Sequence, residues 1–192
     1  KYFRKEHVHY YKEQSPDELA LINYTSGTTG FSKGVMIPYR AMWSNYDFAI
    51  SVLGNIIKKG DNVISILPMA HMYGMAFEFM FEFLFGCHVF YLTRIPSPAI
   101  IAAAFAEVKP AIIIAVPLII EKIIRKQVFP KTQNNRMRIL LNMPIVSKKV
   151  NEKIKEQVVK AFGGNFYEII VGGAAFNQEV EQFLKRIGFP YT

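Results

Sequence analysis

The sequence predicts an α/β fold in which a mostly parallel sheet carries helices on both faces. Short apolar runs alternate with helix-like segments from end to end, the pattern of strand–helix–strand units. Two of these runs, Ile112-Ile113-Ile114 and Ile169-Ile170-Val171, are apolar at every position, as strands buried between two helical layers must be. No internal repeat or linker interrupts the alternation, so the chain reads as one partial domain, residues 1–192.

Residues 19–24 (LALINY) are the first expected strand, and a glycine-rich stretch follows. Val35-Met36-Ile37 is a second extended piece stopped by Pro38, after which residues 39–57 read as a helix. Residues 62–67 (NVISIL) make a buried strand ending at Pro68, and PMAHMYG, residues 68–74, reads as a loop. The Phe-rich residues 75–85 suit a helix, because Glu78 and Glu82 share one face at i,i+4 while Phe77, Phe81 and Leu84 form another. The strand HVFYL (88–92) comes next. Ser97-Pro98 has the N-cap and first-turn chemistry of a helix that runs to about Val108 and must stop before Pro110. Residues 111–116 (AIIIAV) are an apolar β-branched run, and Pro117 opens a helix through about Lys126. Within residues 147–162, Val150, Ile154, Val158 and Phe162 recur every four positions, with lysines around the rest. Residues 166–171 form the next strand, ended by Gly172-Gly173. Asn177 then caps a helix whose Val180, Phe183, Leu184 and Ile187 follow i, i+3, i+4, i+7. Glu179 and Glu181 early, Lys185 and Arg186 late, and Gly188 beyond match its dipole and its stop.

A composition of 51% hydrophobic and 20% charged residues excludes a disordered chain. The greasiest stretch, 75–92, is broken by Glu78 and Glu82, and 111–120 contains Pro117, so neither supplies the roughly 20 apolar residues of a membrane span. No signal peptide is visible. The start lacks a methionine and Phe189-Pro190-Tyr191-Thr192 reads as the opening of another strand, so an excised piece of a longer protein is expected. A single cysteine, Cys87, excludes an internal disulfide, fits a reducing compartment and reads as a small core residue. A cytoplasmic location is expected. Lys and Arg number 23 against 15 Asp and Glu, a net charge of +8. Residues 121–160 carry that whole excess, with eleven Lys or Arg against Glu121, Glu152 and Glu156. Such a segment attracts nucleic acid, an anionic membrane or nucleotide phosphates, or is a solvated face balanced by other parts of a parent protein. It contains no stacking platform of aromatics, so no nucleic-acid partner is expected; peripheral membrane contact stays open. Nothing in the sequence sets an oligomeric state.

Ligands of an open parallel sheet bind beyond the carboxyl ends of its strands. YTSGTTGFSKG (24–34), PMAHMYG and Gly172-Gly173 each follow an expected strand. A phosphate-gripping loop needs approachable backbone N–H groups, small hydroxyls and a cation; Thr25, Ser26, Gly27, Thr28, Thr29, Gly30 and Lys33 supply all three. The alternative is a polar hairpin turn, for which the lysine six residues after Gly27 has no use. The Walker A pattern fails, with Ser32 in place of its second glycine and Gly34 in place of its magnesium-binding hydroxyl. Residues 35–38 also look extended, where a Walker loop would enter a helix.

YTSGTTGFSKGV resembles the phosphate-loop signature of the adenylate-forming acyl-CoA synthetases, the AMP-binding enzymes. PMAHMYG and GGAAFNQEV resemble that family's histidine-bearing loop and glycine-glycine-alanine segment in the same order, and VPLIIEKI, residues 116–123, resembles its long-chain fatty-acid–CoA ligase branch. The likeness runs from about Leu19 to the last residue and implies a central fragment of a larger, multi-subdomain N-terminal domain. It implies a two-step reaction: a fatty carboxylate attacks the α-phosphorus of ATP to give acyl-AMP and pyrophosphate, and coenzyme A then displaces AMP. ATP, Mg2+ and coenzyme A are the implied cofactor and co-substrates, with the fatty acid as the third small-molecule partner. By resemblance, Thr25, Ser26, Gly27, Thr28, Thr29, Gly30, Lys33 and Gly34 would hold the β- and γ-phosphates, with Lys33 the cation and Thr25 near magnesium. His71 would lie near the α-phosphate and the acyl carboxylate, orienting more than exchanging protons. Gly172, Gly173 and Ala174 would line the adenine and the acyl entrance, and the helix from Phe77 to Phe85 would either wall an acyl tunnel or simply pack the core.

Four departures from the family pattern stand out. Ser32 replaces a proline, and Pro38-Tyr39 replace a hydroxyl-histidine pair. Tyr73-Gly74-Met75 stands where some members place a tryptophan gate, and Trp43, elsewhere, reads as packing. The family's Tyr-Gly-x-Thr-Glu motif, its ribose-binding acid and the C-terminal domain with its catalytic lysine lie beyond the last residue, so the fragment alone is not expected to make acyl-AMP. An amino-acid- or aryl-acid-adenylating relative shares the loop and is the enzymatic alternative. A basic nucleic-acid-binding module built on Lys122 to Lys160 is the non-enzymatic one.

Overall fold

The computed structural model describes residues 13–26, 31–132 and 144–192. The chain divides into two compact units, residues 1–45 and residues 46–192.

In the first unit, β1 (Leu19–Ser26) and β2 (Ser32–Pro38) form an antiparallel hairpin in which Tyr24 faces Gly34 and Thr25 faces Lys33. The first helix, α1 (Tyr39–Leu53), starts directly after Pro38. Tyr39 N donates to Glu18 O at 3.1 Å and Arg40 N to Pro16 O at 2.9 Å, so the helix start is tied to the approach to β1. Arg40 also pairs with Asp17. Trp43, expected to pack, is half exposed.

The second unit is built on parallel strands. β3 (Asn62–Ser65) pairs with β4 (His88–Tyr91), and β5 (Ile112–Ala115) pairs with β6 (Glu168–Val171). The strands form three two-stranded sheets, and a single backbone hydrogen bond, Ala111 N to Asn62 O at 2.8 Å, links the two parallel ones through β3 and β5, in the order β4-β3-β5-β6. Tyr191 makes a parallel bridge to Ile169 at the outer side of β6.

Alternation along these strands sends side chains to two cores, because successive residues of a strand face opposite ways. Ile64, Ile113, Ala115 and Ile169 point into the larger core. There they meet α3 (Pro98–Val108), α4 (Pro117–Ile123) with its continuation, α6 (Pro144–Ala161) and α7 (Gln178–Ile187). Val63 and Ile112, with the partly buried Val89 and Ile170, point into the smaller core with Ala49, Leu53 and Phe81. The sheet is therefore covered on both faces, and β5 is buried at all four positions.

Several elements depart from expectation for visible reasons. The helix from Pro117 does not stop near Lys126. It passes through a π-helical turn, Ile124–Val128, into α5 (Phe129–Thr132). The first helix ends at Leu53, four residues short of 57. Met72 and Tyr73 of the expected loop are already helical, and Gly74–Phe81 is a π-helix that leads into α2 (Glu82–Phe85). Its two carboxylates were expected to form a face apart from the phenylalanines. Instead Glu78 and Glu82 are fully buried, as is Phe81, while Phe83 and Leu84 are exposed. β3 also stops at Ser65 instead of 67. Beyond it the N–H groups of Ile66 and Leu67 donate to Glu78 and no longer to a strand. No helix of the described residues is long and apolar enough to cross a membrane.

Candidate functional site

Thr25 and Lys33 are cross-strand partners at the loop end of the hairpin, and both are exposed. Ser26 pairs with Ser32, and Gly34 pairs with Tyr24. Gly27, Thr28, Thr29 and Gly30 lie outside the described residues. The chain leaves Lys33 along an extended strand, Ser32–Pro38, the feature that set this loop apart from a Walker loop.

His71 is exposed just beyond the carboxyl end of β3, where a parallel sheet presents its ligand-binding edge. Its N–H donates to Pro68 O at 3.0 Å, and its own carbonyl accepts from Met75 N at 2.9 Å. The imidazole is thus carried on a closed turn that becomes the first turn of the next helix. Gly173 follows β6 with φ +85°, a conformation that side chains with a Cβ adopt at a cost. The two meet in one cavity of about 290 Å³, lined by Leu67, Pro68, His71, Tyr73, Val116 and Gly173 among others.

Gly172 sits differently. Its N–H donates to Ala115 O at 3.1 Å, and a Cβ placed on it would come within 2.9 Å of Tyr73 Cζ. The Tyr73 ring occupies that space, with its hydroxyl 3.4 Å from Ile170 O and its ring centroid 5.6 Å from that of Phe77. Burial pushes the Tyr73 phenol up to about 12, with the Glu78 charge adding to the effect, so it stays neutral. Behind this ring lies a second cavity of about 320 Å³, walled by Phe48, Val52, Phe77, Ile114 and Ile170 and bounded also by Gly172. Tyr73 borders both cavities. Phe77 therefore walls a cavity, whereas Phe81 packs in the core. Ala174 is exposed in the turn after Gly173.

A third and larger cavity, about 730 Å³, also borders His71. It runs between Leu67, Tyr91, Ile101 and Leu118, with Arg94 and Lys122 among its lining residues. The turn after Gly173 is fastened by polar contacts at its far end. Asn177 N donates to Glu121 Oε1 at 2.7 Å, Asn177 Oδ1 caps α7, and Arg125 donates to both Asn177 Oδ1 and Glu179 Oε2. Part of the basic segment is thus occupied in holding this turn. Cys87 is half buried and its thiol is pushed up to about 12 by burial, in keeping with a packing residue.

Tyr73 lies in PMAHMYG and Lys122 in VPLIIEKI, yet neither stands out there as a site residue; Glu78 and Arg94 lie in none of these motifs. Tyr73 and Gly172 come together only through the β3–β5–β6 order, and the signal for Glu78 was a charge inside an otherwise apolar stretch.

The profile of the AMP-binding enzyme family matches residues 3–190. Among curated relatives, the human long-chain-fatty-acid–CoA ligase ACSBG2 is 24% identical, over 93% of this chain and 30% of its own length. Long chain acyl-CoA synthetase 5 of Arabidopsis thaliana is 27% identical, over 90% of this chain and 28% of its own. The chain spans less than a third of the length of these relatives. Of solved structures, the inhibitor-bound N-terminal domain of FACL13 from Mycobacterium tuberculosis aligns with a TM-score of 0.59 at 21% identity, covering 94% of this chain and 37% of that one. The red-emitting luciferase of Phrixothrix hirtus aligns with a TM-score of 0.66 at 20% identity, over 97% of this chain and 30% of that one.

Proposed function

This chain belongs to the AMP-binding enzyme family, and from that premise we propose that its parent protein activates a long-chain fatty acid with ATP and passes the acyl group to coenzyme A. The carrying observation is that His71 and Gly173 share one cavity, with an apolar chamber behind Tyr73 and a larger cavity, also bordered by His71, that has cationic residues in its lining.

In the first step a carboxylate oxygen forms a bond to the α-phosphorus and pyrophosphate leaves. Both reactants are anions, so positive charge and donors near the leaving group lower the barrier most. Lys33 and the hydroxyl of Thr25 stand side by side at the hairpin end for that task. Among the described residues no group of three or more His, Cys, Asp or Glu is placed to hold a metal ion. Magnesium would supply positive charge against the triphosphate, and Thr25 would offer it one oxygen. His71 orients the carboxylate from its closed turn. In the second step the thiolate sulfur bonds to the acyl carbon and AMP leaves.

Each substrate brings a long arm to one carbonyl. The chamber of Phe48, Val52, Phe77, Ile114 and Ile170 suits a hydrocarbon chain and presents no charged side chain, so an α-ammonium group would be stranded there. This weighs against an amino-acid substrate. The larger cavity joins apolar walls to Arg94 and Lys122, a match for the phosphate-bearing arm of coenzyme A. Acid-dependent pyrophosphate exchange by the full-length parent, run across fatty, aryl and amino acids, tests the proposal. Exchange with long fatty acids is expected; exchange confined to aryl or amino acids would transfer the assignment to those classes.

A further inference from the structure

Glu78 is buried in the π-helix that follows His71, and it is not idle there. Its carboxylate accepts from Leu67 N at 2.7 Å, from Ile66 N at 3.1 and 3.2 Å to its two oxygens, and from Ser65 Oγ at 3.2 Å. These donors are the last residue of β3 and the first two beyond it. Ile66 is itself buried, so without Glu78 its N–H would lack a partner in an apolar setting. Directly after Leu67 begins the turn closed by the His71 N–H on Pro68 O, which feeds into the helix that carries Glu78. At Gly74 that helix passes so near the turn that a Cβ would lie 2.8 Å from Pro68 O. The histidine loop is thereby clasped at its root by the carboxylate and at its exit by helix contact.

We propose that Glu78 is a positioning residue for His71: its carboxylate clamps the backbone at the point where β3 opens into the histidine loop, and so sets where the imidazole stands. The catalytic meaning of this clamp rests on the function proposed above. Burial pushes the Glu78 carboxyl up to about 7, against the opposing effect of the Leu67, Ile66 and Ser65 donors. Titratable groups that feel it are Tyr73 at the start of the helix, Glu82 one turn on and Tyr91 on β4. All three are pushed up, and the two phenols stay neutral through the range in which Glu78 gains its charge.

The test follows the ring resonances of His71 by NMR in the 192-residue chain, assigned by their loss in His71→Ala, as pH is varied. Among the changes in these resonances, wild type is expected to show a second step that disappears in Glu78→Gln and persists in Glu82→Gln, at a residue whose carboxylate oxygens have no hydrogen-bond partner among the described residues. Superimposable pH profiles of the His71 resonances in wild type and Glu78→Gln would overturn the clamp. Should Glu78→Gln not fold, Ser65→Ala removes a single donor to the carboxylate and is expected to move the second step to higher pH; an unmoved step overturns the proposal equally. In the full-length parent, Glu78→Gln is expected to lower kcat for pyrophosphate exchange about ten- to a hundredfold, the scale of a misplaced catalytic group, with little change in KM for ATP. In a His71→Ala background it should cost nothing further, and fully additive losses would refute action through His71. A wild-type parent inactive with every acid would remove the proposed function, while the resonance experiment would still decide the clamp.

Discussion

Gly172 and Gly173 are neighbours, yet each is a glycine for a different reason. Gly173 has φ +85°, and the nearest atom to an added Cβ would be Val116 Cγ1 at an ordinary 3.5 Å. Its cost is backbone strain, roughly 1–2 kcal/mol for a residue with a Cβ. Gly172 has no such backbone demand; its added Cβ would press on the Tyr73 ring at 2.9 Å. Both alanine variants are expected to lower the unfolding midpoint of the chain. In a Tyr73→Ala background, however, the Gly172→Ala penalty should vanish and the Gly173→Ala penalty should remain. Equal penalties in both backgrounds would show that Tyr73 is not what Gly172 makes room for. Lys33 belongs at this scale too. In the parent enzyme, Lys33→Ala is expected to reduce adenylation roughly 10²-fold or more, the scale of losing a transition-state charge donor. A near-normal rate would assign the leaving-group charge to another residue. The motif glycines, His71 and Lys33 stand out in the sequence because their neighbours mark them; of these, the structure brings His71 and Gly173 to one cavity. Tyr73 against Gly172 was not legible, because that contact depends on strands far apart in the chain.

The element that sequence periodicity described least well is the helical stretch from Gly74 to Phe85. An i,i+4 pair of glutamates normally marks a solvated face, but here the π-helical turns and the open N–H groups after β3 draw Glu78 inward, and Glu82 is buried behind it with neither oxygen bonded. Two testable outcomes follow from these burials. An acid pushed above its ordinary value binds its proton more tightly in the folded chain than in the unfolded one. The contribution of these carboxyls to stability is therefore fullest below about pH 4.5 and falls as pH rises toward about 7, where the Glu78 part levels off, with Glu82 acting in the same direction. Urea midpoints at pH 5.5 and 7.5 should show the chain more stable at the lower pH, by about 2 kcal/mol from Glu78, and less pH-dependent in Glu78→Gln. A midpoint that rises with pH over this interval would mean that these carboxyls are not buried as described. Glu82→Met, which replaces an unbonded buried acid by an unbranched apolar chain, is expected to stabilise the fold by about 1–3 kcal/mol at neutral pH. The helix from Gln178 was, by contrast, legible in full. Its Asn177 cap, acidic start, basic end and glycine stop are all local signals, and each appears where expected.

For the molecule as a whole, the doubly covered sheet followed from two apolar strands and the alternation of elements, since a strand with no polar side must be buried on both faces. What the sequence could not reveal is the division of labour between those faces. The chamber behind Tyr73 is walled by Ile114 and Ile170 together with Phe48, Val52 and Phe77 from helices of the smaller core. The cavity that includes Arg94 and Lys122 is bounded by Ile66 and Ile101 of the larger core. If the acyl chain occupies the first and coenzyme A the second, the two substrates can be perturbed independently in the parent enzyme. Val52→Phe fills the first chamber and is expected to shift pyrophosphate exchange toward shorter acids, leaving KM for coenzyme A near its wild-type value. Leu118→Trp, on the opposite face, is expected to raise KM for coenzyme A several-fold, roughly the effect of 1 kcal/mol, while exchange, which needs no coenzyme A, keeps its chain-length preference. The opposite pattern, with Leu118→Trp altering acid length and Val52→Phe altering coenzyme A binding, would exchange the two assignments. A change of both parameters by both variants would mean that the sheet does not keep the substrates apart.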